Sequence, residues 1–139
     1  MRCEDIMKHK VEALTPRDTV QSAARRMRDL NTGFLPVCNS EGRVLGTLTD
    51  RDIAIRLVAE NKSASLAVES VMSTEVIACR PNDDVRRAAE LMGKHRKSRL
   101  LVMDDGKLVG VISLSDIAHH DAKNAAQAMS QVTLREARA

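Results

Sequence analysis

Two short segments of this chain place a hydroxyl group three residues before a carboxylate, where a predicted strand leads directly into a predicted helix. Thr49 precedes Asp52 in the first segment, and Ser113 precedes Asp116 in the second. The N-terminus of a helix exposes unpaired N–H groups and the positive end of the helix dipole, so it attracts phosphate. A hydroxyl can donate to the same oxygens, and a carboxylate can accept both hydrogens of a ribose diol. The pattern therefore suits a nucleotide.

The same spacing also has a purely structural interpretation. A Ser or Thr followed three residues later by an acid resembles a capping box, which only closes the start of a helix. One segment alone would favour capping, but two segments at matching positions keep both interpretations open. Gly46 and Gly110 precede the hydroxyls by three residues, and they leave room for a ligand or for neighbouring backbone to approach closely.

The two segments belong to an internal repeat. A shift of 65 residues aligns Pro16 with Pro81, and after a one-residue deletion a shift of 64 aligns Asp52 with Asp116. A period of this length indicates a duplicated supersecondary unit. We expect the two repeats to share one core, because a lone unit of about 60 residues buries only about 60% of its unfolded surface. The predicted domains are residues 1–65 (first repeat), 66–122 (second repeat) and 123–139 (a C-terminal extension, helical or disordered).

Each repeat is predicted to fold as β-α-β-β-α, so the fold class is α+β with tandem units. An extended segment ends at a proline, a helix follows, and a two-strand hairpin leads into the final helix. Apolar residues of the first helix have the i, i+3, i+4, i+7 spacing of a helix that lies on a core. They are Val20, Ala23, Ala24 and Met27 in the first repeat, and Val85, Ala88, Ala89 and Met92 in the second.

Composition argues against several classes of partner. The net charge is only +3 and Phe34 is the only aromatic residue, so binding to nucleic acid is not expected. No apolar run approaches the roughly 20 residues that cross a bilayer. The N-terminus lacks the apolar segment of a signal peptide, so we expect a cytoplasmic protein with no membrane partner. Cys3, Cys38 and Cys79 are odd in number and share no close spacing, which indicates reduced thiols rather than a disulfide framework or a zinc site.

Catalysis and metal binding are not expected either. His119 and His120 are adjacent, so on a helix they point about 100° apart and chelate a metal poorly. No nucleophile–base–acid set, Walker loop or dinucleotide fingerprint is present in the sequence. We therefore predict that the protein is not an enzyme and requires no cofactor.

The duplicated β-α-β-β-α pattern, with its two Gly-x-x-[Thr/Ser]-x-x-Asp-Ile segments, resembles a pseudo-twofold pair of cystathionine-β-synthase (CBS) domains, also called a Bateman module. The resemblance covers residues 1–122, and the segment Thr49–Ile53 is particularly similar to small, free-standing bacterial members of the hypoxic-response type. It implies two clefts between the paired motifs, which bind AMP, ADP or ATP, and less often NAD or S-adenosylmethionine.

The resemblance also implies which residues contact the ligand. Ribose and phosphate are held by the strand-end hydroxyl, the helix aspartate and basic residues, while apolar first strands flank the adenine ring. The implied contacts are Ala13, Leu14, Ala78 and Cys79 beside the base, and Thr49, Arg51, Asp52, Arg99, Ser113, Ser115 and Asp116 around the ribose and phosphate.

The repeats differ at one implied phosphate contact. Arg99 begins the second strand of the second repeat, where the family commonly has a basic residue, but Phe34 stands at the matching position of the first. The two clefts are therefore predicted to be unequal. Arg51 either supplies the missing positive charge or is an ordinary surface residue.

Together these features predict a non-enzymatic regulatory module that binds an adenine nucleotide. It would act through its own homodimer or through an effector protein that the sequence does not identify. The alternative is a structural or interaction module with vestigial clefts, in which the two motifs serve only as helix caps.

Overall fold

A computed structural model of the chain describes residues 1–137, with side chains described through Leu134. The last two residues of the predicted C-terminal extension, 138–139, lie outside the described residues. The extension begins as a helix immediately after the second repeat. The α-helices are α1 (Cys3–Ile6), α2 (Val20–Leu30), α3 (Asp50–Asp52), α4 (Val85–His95), α5 (Leu114–His120) and α6 (Ala122–Ala137), with a π-helix at Ile53–Val58 and a 3-10 helix at Val68–Ser70. The strands are β1 (Phe34–Cys38), β2 (Val44–Thr49), β3 (Ala78–Cys79), β4 (Arg99–Asp104) and β5 (Lys107–Ser113).

The chain divides into two compact units, which we name after the residues that distinguish them. The Arg99 unit combines Met1–Val11 with Ile77–Ala139, and the Phe34 unit is Glu12–Val76. Each unit therefore contains the helix and hairpin of one sequence repeat and the lead segment of the other, where the lead segments are Met1–Val11 of the first repeat and residues 66–76 of the second.

Backbone pairing explains this exchange of lead segments. In the Arg99 unit, Lys8 and Val111 exchange two backbone hydrogen bonds of 2.8 and 3.0 Å. In the Phe34 unit, Ser73 and Thr47 exchange two bonds of 2.9 Å each. Each lead segment thus lies antiparallel to the strand that carries a Gly-x-x-[Thr/Ser] motif.

Each sheet contains an antiparallel hairpin, but the two sheets differ at one edge. In the Arg99 unit the order is β3-β4-β5, with β3 parallel to β4 and β4 antiparallel to β5. In the Phe34 unit only β1 and β2 form a ladder, and the expected first strand is reduced to a single parallel bridge between Leu14 and Val37. Pro36 explains the loss, because it has no N–H to donate to the preceding segment. Leu101 holds the matching place in β4 and pairs with Ala78.

Helices α2 and α4, which hold matching positions in the repeat, each start at a side-chain cap and bury an apolar stripe. The Thr19 hydroxyl accepts from the Ser22 N–H at 3.1 Å before α2, and the Asp84 carboxylate accepts from the Arg86 N–H at 2.9 Å before α4. The buried stripe of α2 is Val20, Ala23 and Met27, and that of α4 is Val85, Ala88, Ala89, Met92 and Gly93.

One predicted core residue is exposed. Ala24 lies on the surface, whereas its repeat partner Ala89 is buried, so the prediction for Ala24 is wrong. The reason is α6, which contributes Ala125, Ala128 and Val132 to the core of the Arg99 unit. Within the described residues, the core of the Phe34 unit contains no residue of α6.

The final helices also differ. α5 is α-helical through His120, but α3 continues as the π-helix, which leaves Ile55 and Val58 exposed. No helix within residues 1–137 is long and apolar enough to span a membrane.

Candidate functional site

Each unit has its own candidate site at a strand–helix junction, where β5 leads into α5 in the Arg99 unit and β2 leads into α3 in the Phe34 unit. At the first junction the Ser113 N–H donates to Asp116 Oδ2 at 2.9 Å, and the Asp116 N–H donates to Ser113 Oγ at 3.0 Å. At the second, the Thr49 N–H donates to Asp52 Oδ2 at 3.0 Å, and the Asp52 N–H donates to Thr49 Oγ1 at 3.1 Å. Both junctions are therefore complete capping boxes.

Capping does not exhaust the hydrogen-bonding capacity of these groups. Each aspartate uses Oδ2 for the cap, so Oδ1 can still accept hydrogen bonds. Each hydroxyl accepts from a backbone N–H and retains its own hydrogen for donation. All four side chains are partly exposed rather than buried. The structural interpretation of the motifs and the nucleotide interpretation are therefore compatible with each other.

The free carboxylate oxygens have different surroundings in the two units. Asp52 Oδ1 lies 3.8 Å from the Arg56 guanidinium, which also donates to the Met72 carbonyl oxygen at 3.0 Å. His120 holds the position of Arg56 in the repeat, and within the described residues Asp116 has no ion-pair partner. Asp52 Oδ1 thus has a cationic neighbour, whereas Asp116 Oδ1 has none among the described residues.

The residues that lie opposite Ser113 and Thr49 in the two hairpins also differ in charge. Arg99 on β4 lies directly opposite Ser113 on β5, and Phe34 on β1 lies directly opposite Thr49 on β2. Residues directly opposite each other in an antiparallel pair project from the same face of the sheet. Arg99 is exposed and forms no ion pair within the described part of the chain. The Arg99 unit therefore presents a guanidinium, a hydroxyl and a carboxylate together.

The first residue of each final helix was not among the sequence-derived site residues, yet it distinguishes the units. Asp50 is exposed, donates its N–H to the Gly33 carbonyl oxygen at 2.9 Å and packs its carboxylate against Gly33. Leu114 at the matching position is buried and donates its N–H to the Ser98 carbonyl oxygen at 2.8 Å. The Phe34 unit thus carries an additional negative charge at its junction. The difference was visible in the sequence as Asp50 against Leu114.

Arg51 and Ser115 occupy equivalent exposed positions on the first turns of the final helices. The Arg51 N–H donates to the Asp50 carboxylate at 2.9 Å, and no ion pair of its guanidinium is found in residues 1–134. The structure thus leaves Arg51 on the surface, which agrees with either role expected for it.

The four residues expected beside the base separate into two pairs. Leu14 and Cys79 are buried in the apolar cores, while Ala13 and Ala78 are partly exposed on the opposite side of their segments. Only the two alanines therefore present side-chain surface outside the core.

The two strand glycines, Gly46 and Gly110, leave space for the lead segments to approach closely. A Cβ atom on Gly46 would lie 2.5 Å from the Ser73 carbonyl oxygen, and one on Gly110 would lie 2.6 Å from Met7 Sδ and 2.9 Å from the Lys8 carbonyl oxygen. Of the two approaches that the sequence left open, the structure shows close approach by neighbouring backbone.

The balance of charge also differs between the units. The Arg99 unit has 14 Lys and Arg against 10 Asp and Glu, a net charge of +4. The Phe34 unit has 8 Lys and Arg against 9 Asp and Glu, a net charge of −1. An anionic ligand is therefore attracted more strongly to the Arg99 unit. Among the described residues no group of three or more His, Cys, Asp or Glu side chains is arranged to hold a metal ion.

Comparison with known proteins defines the class to which this fold and these junctions belong. The CBS domain family matches residues 3–59 and 68–123, so the chain belongs to that family and contains a pair of CBS domains. The family and the α+β repeat fold predicted from the sequence are therefore confirmed.

Two relatives match most of the chain. It is 38% identical to the CBS domain-containing protein YhcV of Bacillus subtilis, over 87% of this chain and 86% of that protein. It is 32% identical to hypoxic response protein 1 of Mycobacterium tuberculosis, over 84% of this chain and 82% of that protein.

Two solved structures have the same fold. Hypoxic response protein I, solved with two coordinated zinc ions, is 29% identical with a TM-score of 0.80, covering 86% of this chain and 98% of that one. The CBS domain pair of protein MJ0100, solved with 5′-methylthioadenosine and S-adenosyl-L-methionine, is 27% identical with a TM-score of 0.76, covering 86% and 98% respectively.

Proposed function

We propose that this CBS pair is a non-enzymatic regulatory module that binds an adenine nucleotide, with its principal contacts at the Ser113–Asp116 junction. The observation that carries the proposal is the position of Arg99, which lies directly opposite Ser113 and has no ion pair within the described residues, on the unit with a net charge of +4. A guanidinium matches the geometry of phosphate oxygens and retains its charge at any physiological pH.

Each side chain has a distinct role in this proposal. Asp116 Oδ1 accepts from the ribose hydroxyls, while Asp116 Oδ2 keeps its bond to the Ser113 N–H. The Ser113 hydroxyl and the Arg99 guanidinium donate to the phosphate. Ala78 offers the apolar surface for the base, and Cys79 supports that strand from within the core.

The relatives support an adenosine-containing ligand. MJ0100, at 27% identity, was solved with two ligands that share adenosine, 5′-methylthioadenosine and S-adenosyl-L-methionine. The positive charge of the Arg99 unit favours a ligand with phosphate. AMP, ADP and ATP are therefore proposed ahead of NAD and S-adenosylmethionine.

The output of the module is proposed to pass through a homodimer or an effector protein. A ligand shifts such an equilibrium only by its different affinities for the two states. Light scattering of the purified protein with and without AMP would show whether the ligand changes the state of association.

A second candidate function has its own support in the Phe34 unit. There Asp52 completes a capping box and forms an ion pair with Arg56, and Phe34 replaces the basic residue. This junction is therefore proposed to be structural and to bind no nucleotide. If both junctions were structural, the protein would be an interaction module.

Thermal unfolding with and without AMP, ADP, ATP, NAD and S-adenosylmethionine tests the proposal. A ligand at one hundred times its dissociation constant should stabilise the protein by about 2.7 kcal/mol. Calorimetry should then show that Arg99→Phe, which copies the other unit, weakens binding by roughly tenfold or more. Phe34→Lys is the control that adds charge at the other junction. Stability that none of the five compounds changes would leave only the interaction module.

A further inference from the structure

The core of the Arg99 unit contains two thiols that lie close to each other. Cys3 on α1 and Cys79 on β3 place their sulfur atoms 3.7 Å apart, and the Cys79 thiol also lies 3.9 Å from the Leu101 carbonyl oxygen. Both side chains are buried, at 0% and 3% exposure. Cys38 belongs to the other unit. The sequence indicated unrelated reduced thiols, whereas folding brings two of the three together.

The pair joins parts of the unit that are remote in sequence. The whole Phe34 unit lies between Val11 and Ile77 along the chain. The lead segment Met1–Val11 is held to its unit by backbone hydrogen bonds, such as Cys3 N–H to the Asp83 oxygen at 2.8 Å and Glu4 N–H to the Pro81 oxygen at 2.9 Å. A covalent bond between the two sulfurs would therefore fasten the segment Met1–Val11, which otherwise contacts the rest of the unit non-covalently.

We propose that Cys3 and Cys79 are a redox-sensitive pair, which a peroxide converts to a disulfide that locks the lead segment Met1–Val11 onto the Arg99 unit. A disulfide needs a sulfur–sulfur distance of about 2.05 Å, so the two sulfur atoms must approach by roughly 1.7 Å. Helix α1 is a single turn of four residues, so a small shift of that turn would bring the two sulfur atoms together.

The two thiols are prepared for different steps of the reaction. A hydrogen bond from Cys79 lowers the pKa of Cys3, outweighing burial and the nearby carboxylates of Asp83 and Asp84. The same hydrogen bond, together with burial, raises the pKa of Cys79. Cys3 is thus the nucleophile, because the thiolate is the reactive form of cysteine.

The reaction balances with one peroxide molecule. The Cys3 thiolate attacks an oxygen of hydrogen peroxide and becomes a sulfenic acid, and the O–O bond breaks to release hydroxide. Cys79 sulfur then attacks the Cys3 sulfur, the S–S bond forms, and the S–O bond breaks. The hydroxide that leaves the sulfenic acid takes the Cys79 proton, and the hydroxide released from peroxide takes the proton that Cys3 lost on ionisation. Two thiols and one hydrogen peroxide thus yield a disulfide and two water molecules.

Opening of the lead segment controls access of peroxide, since both sulfurs are buried in the closed form. Local opening of a segment costs less free energy than global unfolding, so oxidation is expected at the rate of local opening. A thiol reductant reverses the reaction by exchange.

The test uses the full-length reduced protein treated with hydrogen peroxide. The thiol count in denaturant should fall from three to one, and non-reducing peptide mapping should identify a peptide that joins Cys3 to Cys79. The melting temperature should rise by about 10 °C, because the bond closes a long loop in the unfolded chain. Dithiothreitol should restore both values.

Variants make the assignment specific. Cys38→Ser is the matched control and should show the same cross-link and the same rise in melting temperature. Cys79→Ala should show neither. Three free thiols after treatment of wild-type protein, a cross-link through Cys38, or stable sulfinic acid at Cys3 without a cross-link would each overturn the proposal. The wild-type and Cys38→Ser results decide the matter even if Cys79→Ala does not fold.

Discussion

The Arg99 unit and the Phe34 unit are built on the same sequence repeat, and their strand–helix junctions have the same backbone hydrogen bonds. Both hydroxyls accept from the N–H of an aspartate three residues later, and both aspartates accept in return. Their surroundings have opposite character. Ser113 faces Arg99 in a unit of net charge +4, whereas Thr49 faces Phe34 in a unit of net charge −1.

This difference separates what the fold requires from what a ligand would require. The capping boxes close helices in both units, so their presence alone does not identify a binding site. The groups around them lie outside the capping boxes and have diverged, with Arg56 against His120 and Asp50 against Leu114. The surrounding charge is therefore the better indicator of ligand binding.

The largest expected effect concerns a feature that the two units share, the close approach of a lead segment. Gly46→Ala should lower the free energy of unfolding by about 2–3 kcal/mol, because its Cβ would meet the rigid Ser73 carbonyl oxygen. Gly110→Ala should cost less, about 1–2 kcal/mol, because the backbone atom that it meets, the Lys8 carbonyl oxygen, is farther away at 2.9 Å, and the nearer sulfur at 2.6 Å belongs to the flexible Met7 side chain. Urea denaturation of both variants checks the order, and a greater loss for Gly110→Ala would contradict it.

The next effect should separate the units by ligand affinity. Asp116→Asn should weaken binding of AMP or a related nucleotide by about thirtyfold, since the loss of a charged acceptor costs about 2 kcal/mol. Asn can still accept the capping hydrogen bond, so stability should change little. Asp52→Asn is the matched variant and should leave affinity within about twofold. Isothermal titration calorimetry of both proteins makes the measurement, and equal losses would remove the proposed asymmetry.

A smaller effect should be common to both junctions, because it depends only on capping. Ser113→Ala and Thr49→Ala should each reduce the free energy of unfolding by about 1 kcal/mol. Thermal unfolding without ligand checks this. A large loss at only one junction would show that the two caps are not equivalent.

The smallest effect should be at the ion pair that distinguishes Asp52. Arg56→Ala should change the free energy of unfolding by less than about 0.5 kcal/mol, because half of the Arg56 side chain is exposed and solvent screens the pair. Arg56→Lys is the matched variant, because it keeps the positive charge. A loss well above 1 kcal/mol in denaturant titrations would show that the bond to the Met72 oxygen, rather than the ion pair, holds this helix.

The second contrast between the units is the helix α6. It buries Ala89 in the Arg99 unit, while the matching Ala24 remains exposed in the Phe34 unit. The apolar stripe predicted for α2 is confirmed at Val20, Ala23 and Met27, which are buried. Periodicity identifies the apolar face of a helix, but it does not show how wide the covering surface is.

The sequence by itself determined the repeat, the order of its elements, the spacing of hydroxyl and carboxylate at the two junctions, and the difference between Arg99 and Phe34. These features are encoded within a few residues, because a cap spans three positions and a helix face recurs every three or four. Only the tertiary structure decided that the lead segments are exchanged, that Gly46 and Gly110 accommodate backbone, and that Cys3 meets Cys79. Each of these features is a contact between residues more than twenty positions apart in the sequence. Patterns that span only a few residues do not specify such contacts.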